Sequence, residues 1–114
     1  MKAKEIGNIG ENMACEFLLK RDYEILQRNF AKPFGEIDII AKDKDCLVFI
    51  EVKARKNTDF GYPRDFVNKK KIEKIINVAQ TYMMENKIFN KAFRFDVIEI
   101  IFEKNEITHL KNAF

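Results

Sequence analysis

The segment spanning residues 35–53 constrains this chain most, because two apolar runs flank a short polar turn and charged residues interrupt both runs at alternate positions. Apolar runs of strand length around a polar turn predict a β-hairpin. Side chains alternate along a strand, so Glu36 and Asp38 share one face, as do Glu51 and Lys53 on the return strand. Ile37, Ile39, Val48, Ile50 and Val52 take the other face. Directly opposed residues of an antiparallel pair point the same way. Two registers therefore keep the charged and apolar faces apart. One sets Asp38 opposite Glu51 and Glu36 opposite Lys53, with Lys44 and Asp45 at the turn; the other slips by two positions and puts Asp43 and Lys44 there. In either, carboxylates converge.

Opposed carboxylates a few ångströms apart repel and raise one another's pKa, which destabilises a sheet unless a cation lies between them. Magnesium suits such a gap, since it is a hard cation that takes one or two carboxylates and keeps waters for substrate phosphates. Lys53, two residues past Glu51 on the same face, can stabilise charge developing on a phosphate. The competing interpretation is an ordinary cross-strand ion pair of Lys53 with Glu36 or Glu51 on a solvated face. Ile40 and Phe49 fall on that same face and count against full exposure, and burying several acids with one lysine is costly.

Along the rest of the chain, Ile6, Met13, Ala14, Phe17 and Leu18 recur at helical spacing and predict a first helix over residues 4–21. Glu11 borders that stripe and points either toward whatever the helix packs against or into solvent. Gly7 and Gly10 each cost a helix about 1 kcal/mol, so the helix starts late or something approaches its first turns closely. Residues 22–30 read as a strand, and Pro33 and Gly35 break regular structure before the hairpin. Residues 54–63 carry turn chemistry and predict a surface loop. Ile72, Ile75, Ile76, Ala79, Tyr82 and Met83 predict a second helix over residues 65–87. Lys69, Lys70 and Lys71 stand near its start, where the helix dipole disfavours cations, so the cluster is either solvated or paired with an anion. Residues 92–102 and 106–110 predict strands, and Phe114 can dock as a terminal aromatic. The order α-β-β-β-α-β with an additional strand implies an α/β domain, a mixed central sheet with a helix on each side.

Composition narrows this further. With 114 residues and 46% hydrophobic content, the chain predicts one domain over residues 1–114 that needs no disulfide or metal staple. Cys15 and Cys46 form no CxxC spacing and read as buried free thiols of a reducing compartment. No secretory h-region and no membrane-length apolar run are present, so a cytoplasmic protein without membrane association is expected. A net charge of +3 permits a polyanionic partner without announcing one.

Asp38, followed thirteen positions later by Glu51-Val52-Lys53 and preceded by a helix carrying Glu11, resembles the PD-(D/E)XK (restriction endonuclease-like) nuclease superfamily. More narrowly, the blocks Gly7-Asn8-Ile9-Gly10-Glu11, Gln27-Arg28-Asn29, Gly35-Glu36-Ile37-Asp38-Ile39-Ile40-Ala41 and Leu47-Val48-Phe49-Ile50-Glu51-Val52-Lys53 are similar to those of the bacterial YraN-like family. Phe60-Gly61-Tyr62-Pro63, Arg94-Phe95-Asp96-Val97 and the ending Asn112-Ala113-Phe114 extend the likeness over nearly the whole chain. Ile37 stands where the superfamily's name has proline, which many members lack.

The resemblance implies a restriction endonuclease-like core and a divalent-metal-dependent nuclease hydrolysing phosphodiester bonds in DNA, including branched or flapped forms. It assigns Asp38 and Glu51 as acids binding Mg²⁺ or Mn²⁺ with the Val52 carbonyl, Lys53 as the catalytic lysine, and Glu11 as a helix-borne acid completing the site. Glu36 belongs to the narrower motif without an assigned role. Asp96 either supports the site or forms a structural ion pair, and His109 reads as an edge-strand or surface histidine. Arg28, Lys32, Arg55, Lys56, Arg64, Lys69, Lys70 and Lys71 can line a groove that tracks phosphates. Analogy with enzymes that cut two strands makes a homodimer a candidate assembly. The alternative is a non-catalytic nucleic-acid-binding or assembly module that retains the nuclease fold.

Overall fold

The apolar stripe near the N-terminus forms α1 (Ala3–Leu19), and the period-2 segments after it form β1 (Glu24–Lys32), β2 (Gly35–Asp43) and β3 (Cys46–Arg55). The second stripe forms α2 (Lys69–Glu85), followed by β4 (Phe93–Ile101) and β5 (Glu106–Leu110). These elements belong to a computed structural model that describes residues 2–62 and 68–114. The part of the second helix anticipated over residues 65–67, together with Pro63 and Arg64, lies outside the described residues.

The strands form one sheet in the order β1-β2-β3-β4-β5, antiparallel throughout except for the parallel pair β3 and β4. A parallel pair needs a crossover, and α2 lies within the connection that provides it. Each face of the sheet is covered. Ala14, Cys15 and Leu18 of α1 pack with Ile39, Ala41, Val48, Ile50, Ile98 and Ile100 on one side. Ile75, Val78, Ala79 and Tyr82 of α2 pack with Ile37, Ile40, Leu47, Phe49 and Phe95 on the other. Covered on both faces, β4 has every residue from Phe95 to its end buried. The C-terminus closes over this second core, where Phe114 stacks on Phe95 at a centroid distance of 5.3 Å and the Ala113 N–H donates to the Phe95 carbonyl at 2.8 Å.

Two local expectations are corrected. Strand β1 does not stop before Ala31; it continues to Lys32, which pairs with Gly35 across a two-residue Pro33-Phe34 turn. The proline therefore sits in the turn, where its missing N–H and fixed φ are tolerated. Ile37, expected to share a face with Ile39, belongs instead to the α2-side core. The cause lies opposite it on β1: Asn29 has φ 52°, and the register runs from Arg28 with Ile39 to Phe30 with Ile37 without pairing Asn29 and Asp38. One left-handed residue turns the strands over, so neighbouring alternate residues face opposite cores.

The far end of the sheet is locked by a buried polar network on the α1 side. Asp96 is fully buried and accepts from Arg94 Nε at 3.1 Å and from the Asn112 N–H at 3.1 Å, with His109 Nε2 at 2.7 Å. Arg94 also donates to Asp43 at 3.1 Å and to the Tyr23 hydroxyl at 2.6 Å, so it ties the end of β2 to the start of β1. Burial alone would raise Asp96, but the His109, Arg94 and Asn112 hydrogen bonds hold its carboxyl below the usual range.

Gly10 explains how α1 approaches so closely: a Cβ there would lie 2.6 Å from the Ala54 Cβ on β3. Gly7, by contrast, faces open space, with nothing within 4 Å of such a Cβ. Gly10→Ala is therefore expected to lower stability by about 1–3 kcal/mol in urea denaturation. Adding Ala54→Gly should recover part of that loss, whereas Gly7→Ala should be neutral or stabilise by up to about 1 kcal/mol through helix propensity. Equal effects at the two glycines would exclude close packing as the reason for Gly10.

Candidate active site

The hairpin adopts the first of the two anticipated registers, pairing Asp43 with Cys46 and Ile39 with Ile50 around Lys44 and Asp45. Continued, it sets Asp38 across from Glu51. The backbone ladder nevertheless ends at Ile39 and Ile50, because β2 has already begun to turn over. The half-buried Val52 N–H, left without a strand partner on that side, donates to Asp38 Oδ2 at 2.8 Å. Asp38 thus stands at the seam between the two cores, held by β3.

Its neighbours are mostly acidic. Burial and the Glu51 carboxylate, then Glu11 and Glu36, outweigh the Val52 hydrogen bond and push Asp38 up to about 7. Glu51 is compensated differently: its Oε1 lies 3.2 Å from Lys53 Nζ and 2.9 Å from Lys71 Nζ. Burial and the adjacent Lys71 hold Lys53 below the usual lysine range. In the parallel ladder Lys53 lies beside Glu99, itself buried.

Two cavities meet at these residues. One, of about 500 Å³, is lined by Glu36, Asp38, Glu51, Lys70, Lys71 and Lys74 among others. The other, of about 480 Å³, includes Gly7, Glu11, Asp38, Glu51, Lys53 and Lys71 in its lining. Asp38, Glu51 and Lys71 border both, so the acid pair sits on a ridge with a basic wall to one side. Arg55 and Lys56 extend the lining of the second cavity.

The structure brings Asp38, Glu51, Lys53 and Glu11 together, with Glu36 exposed at the rim. Glu11 is tethered by Arg28, whose Nη2 lies 3.6 Å from its Oε1. Lys32 is drawn instead to Glu85 at 2.6 Å. Lys69 is exposed, and Arg64 lies outside the described residues. Asp96 is not part of this assembly: it pairs with Ile50 of the α1-side core, whereas Glu51 and Lys53 alternate with it toward the α2 side. His109 is not free at the surface but bound to Asp96. The direct pairing of Lys71 with Glu51 was beyond reach of sequence reasoning, although the misfit of a lysine cluster with the helix dipole signalled an anionic partner.

Among the described residues, no three or more His, Cys, Asp or Glu side chains form a group able to hold a metal ion. The oxygen donors available at the ridge are therefore two carboxylates and backbone carbonyls, a set compatible with a hard divalent cation that retains water. Among the described residues, no helix is long and apolar enough to cross a membrane.

A mixed sheet with a helix on each face and an acid and lysine ridge between two cavities defines the class: a small α/β protein with a polar, charge-coupled cleft. The chain belongs to a family described as Uncharacterised protein family UPF0102, whose model matches residues 10–100. It is 46% identical to a UPF0102 protein of Clostridioides difficile over the whole of both chains. It is also 46% identical to a UPF0102 protein of Persephonella marina, covering 95% of this chain and 91% of that one. A further relative from Acetivibrio thermocellus is 47% identical, with 95% and 89% covered.

The raised carboxyl has a stability consequence with an unusual sign. Folded Asp38 binds its proton more tightly than it does in the unfolded chain, so its contribution favours the fold at low pH and is lost as pH rises from about 4 to about 7. Asp38→Asn should therefore be more stable than the wild type at pH 8 in chelator, by on the order of 2–4 kcal/mol, with the difference shrinking as pH falls below about 7 and vanishing near 4. Thermal denaturation across that pH range measures it; a variant destabilised at every pH would show that the carboxylate is not under repulsion.

Proposed function

We propose that the chain is a divalent-metal-dependent nuclease of the PD-(D/E)XK superfamily, hydrolysing phosphodiester bonds in DNA, with branched or flapped DNA within its range. The observation that carries this reading is the convergence of Asp38 and Glu51 on a ridge between two cavities with basic linings, with Lys53 beside Glu51 in the second. Asp38 accepts from the Val52 N–H and feels Lys71, yet three acidic neighbours and burial still raise its carboxyl, a state that fits a cationic ligand.

In this reading Asp38 and Glu51 hold Mg²⁺ or Mn²⁺, aided by the Val52 carbonyl. When bound, the cation supplies Lewis-acid polarisation of the phosphate and activation of the attacking water. Lys53, buried and fixed beside Glu51, presents a positive charge to the phosphoryl oxygens as charge builds on them. Glu11, oriented by Arg28, supports the second cavity's side of the site. Arg55, Lys56 and Lys70 supply contacts that position a phosphate backbone without reading bases.

A second reading has a specific observation in its favour. No preassembled group of three metal-ligating side chains is found among the described residues, and Glu51 already carries two lysines. A module that binds nucleic acid without cutting it would show affinity that falls with salt and is indifferent to chelator.

Incubation of single-stranded, duplex and four-way DNA with Mn²⁺ separates these. Cleavage by the wild type should be abolished by EDTA and reduced at least about 100-fold by Lys53→Ala, with DNA binding retained. Because a cation must displace the Asp38 proton, cleavage at limiting Mn²⁺ should fall as pH drops below about 7. Lys53→Ala cutting as fast as the wild type would refute the assignment.

A further inference from the structure

The two ammonium groups on Glu51 differ in freedom. Lys53 rises from the same strand and its side chain is only 11% exposed, so it cannot leave without abandoning a buried charge. Lys71 sits in the first turn of α2 with a side chain 40% exposed, on a flexible stem whose head can return to water at small cost. It is also held there against the helix dipole, whose positive end repels a cation in the first turn. Glu51 is the anion it contacts, at 2.9 Å, with Asp38 adding to the attraction.

A divalent cation shared by Asp38 and Glu51 would draw on the carboxylate that Lys71 already contacts, and the two positive charges would repel at such separation. Lys71 has somewhere else to go. It borders the cavity lined by Lys70 and Lys74 as well as the cavity of Glu11 and Lys53, so a small rotation of its stem carries the ammonium away from Glu51 while keeping it at the site.

We propose that Lys71 is an exchangeable counter-ion, occupying Glu51 when no divalent cation is present and transferring to a phosphate group of the nucleic acid strand, in the cavity it shares with Lys70 and Lys74, when the cation enters. This rests on the nuclease reading of the same site and adds a regulatory consequence to it. Cation alone must displace Lys71, whereas cation together with nucleic acid gives the displaced ammonium a new anionic partner. Each ligand therefore tightens the other, and by linkage the two factors are equal.

The test uses the full chain and two probes, Mn²⁺ alone by calorimetry and a labelled single-stranded DNA oligonucleotide by anisotropy with Ca²⁺ or EDTA. Lys71→Met should bind Mn²⁺ about five- to tenfold more tightly than the wild type, the scale expected for removing a partly buried competing ion pair. Lys69→Met, which removes an equal charge from the exposed neighbouring position, should change the constant less than twofold. With the oligonucleotide, Ca²⁺ should tighten binding to the wild type several-fold and leave Lys71→Met nearly unmoved. Lys71→Gln, with an unchanged thermal melt, should repeat the pattern and guard against misfolding. Lys71→Met binding Mn²⁺ no more tightly than Lys69→Met would overturn the exchange; if that binding is still lost in Asp38→Asn, the nuclease reading survives. Absence of Mn²⁺ binding from the wild type and Lys71→Met alike would overturn both.

Discussion

Everything at the site depends on β2 turning over between Ile37 and Ile39. Each isoleucine is buried, but in a different core, so the strand is pinned from both sides and the residue between them is left at the seam. That residue is Asp38. The turn-over ends the backbone ladder with β3 one step early, and the freed Val52 N–H passes to the Asp38 carboxylate instead. A regular hairpin would have spent that N–H within the sheet or on solvent. The distortion thus does two things at once: it opens a gap in the sheet and fixes a carboxylate in it.

Two buried aspartates show why this arrangement differs from ordinary structural burial. Asp96 is more completely enclosed than Asp38, yet its carboxyl is held below the usual range, because Arg94, His109 and the Asn112 N–H all surround it. Asp38 is pushed up to about 7, because burial and the Glu51, Glu11 and Glu36 carboxylates outweigh the Val52 N–H and the attraction of Lys71. Burial raises both; the partners decide the outcome. The first arrangement stabilises a fold, and the second is tolerated at a cost. Perturbation of the second kind in a cleft is a physical reason to look for chemistry there.

Much of this was legible from period-2 alternation and helical spacing. The order of elements, the mixed sheet between two helices, the convergence of Asp38 with Glu51 and the docking of Phe114 follow from patterns that local geometry imposes. Ile37 was misplaced because the turn-over arises from a positive φ at Asn29, a conformation asparagine tolerates but periodicity does not report. The position of Asp96 was not legible because it depends on the parallel register of β3 with β4, which brings it beside Ile50 rather than Glu51. His109 found its acid thirteen residues away through an antiparallel pairing that places it beside Ile98. Lys71 illustrates a partial signal: the helix dipole argument demanded an anion, but only the fold shows that the anion is Glu51.

The molecule divides its charges by location. At the hairpin-turn end, Arg94 gathers Asp43, Tyr23 and Asp96 into a network whose members are mutually satisfied, and β2, β4, β5, the residue leading into β1 and the C-terminal tail are tied there. At the other end of β3 the compensation is incomplete and partly borrowed from α2, through the half-exposed Lys71. Removing a member of the first network strands its partners as buried polar groups, so the cost falls on folding. Removing the Asp38 carboxylate from the ridge instead relieves repulsion, so stability rises. A fold that concentrates charge-balanced groups at one end and mutually repelling carboxylates at the other can keep that cleft because its rigidity is secured elsewhere, and the seam at Asp38 is the boundary between the two regimes.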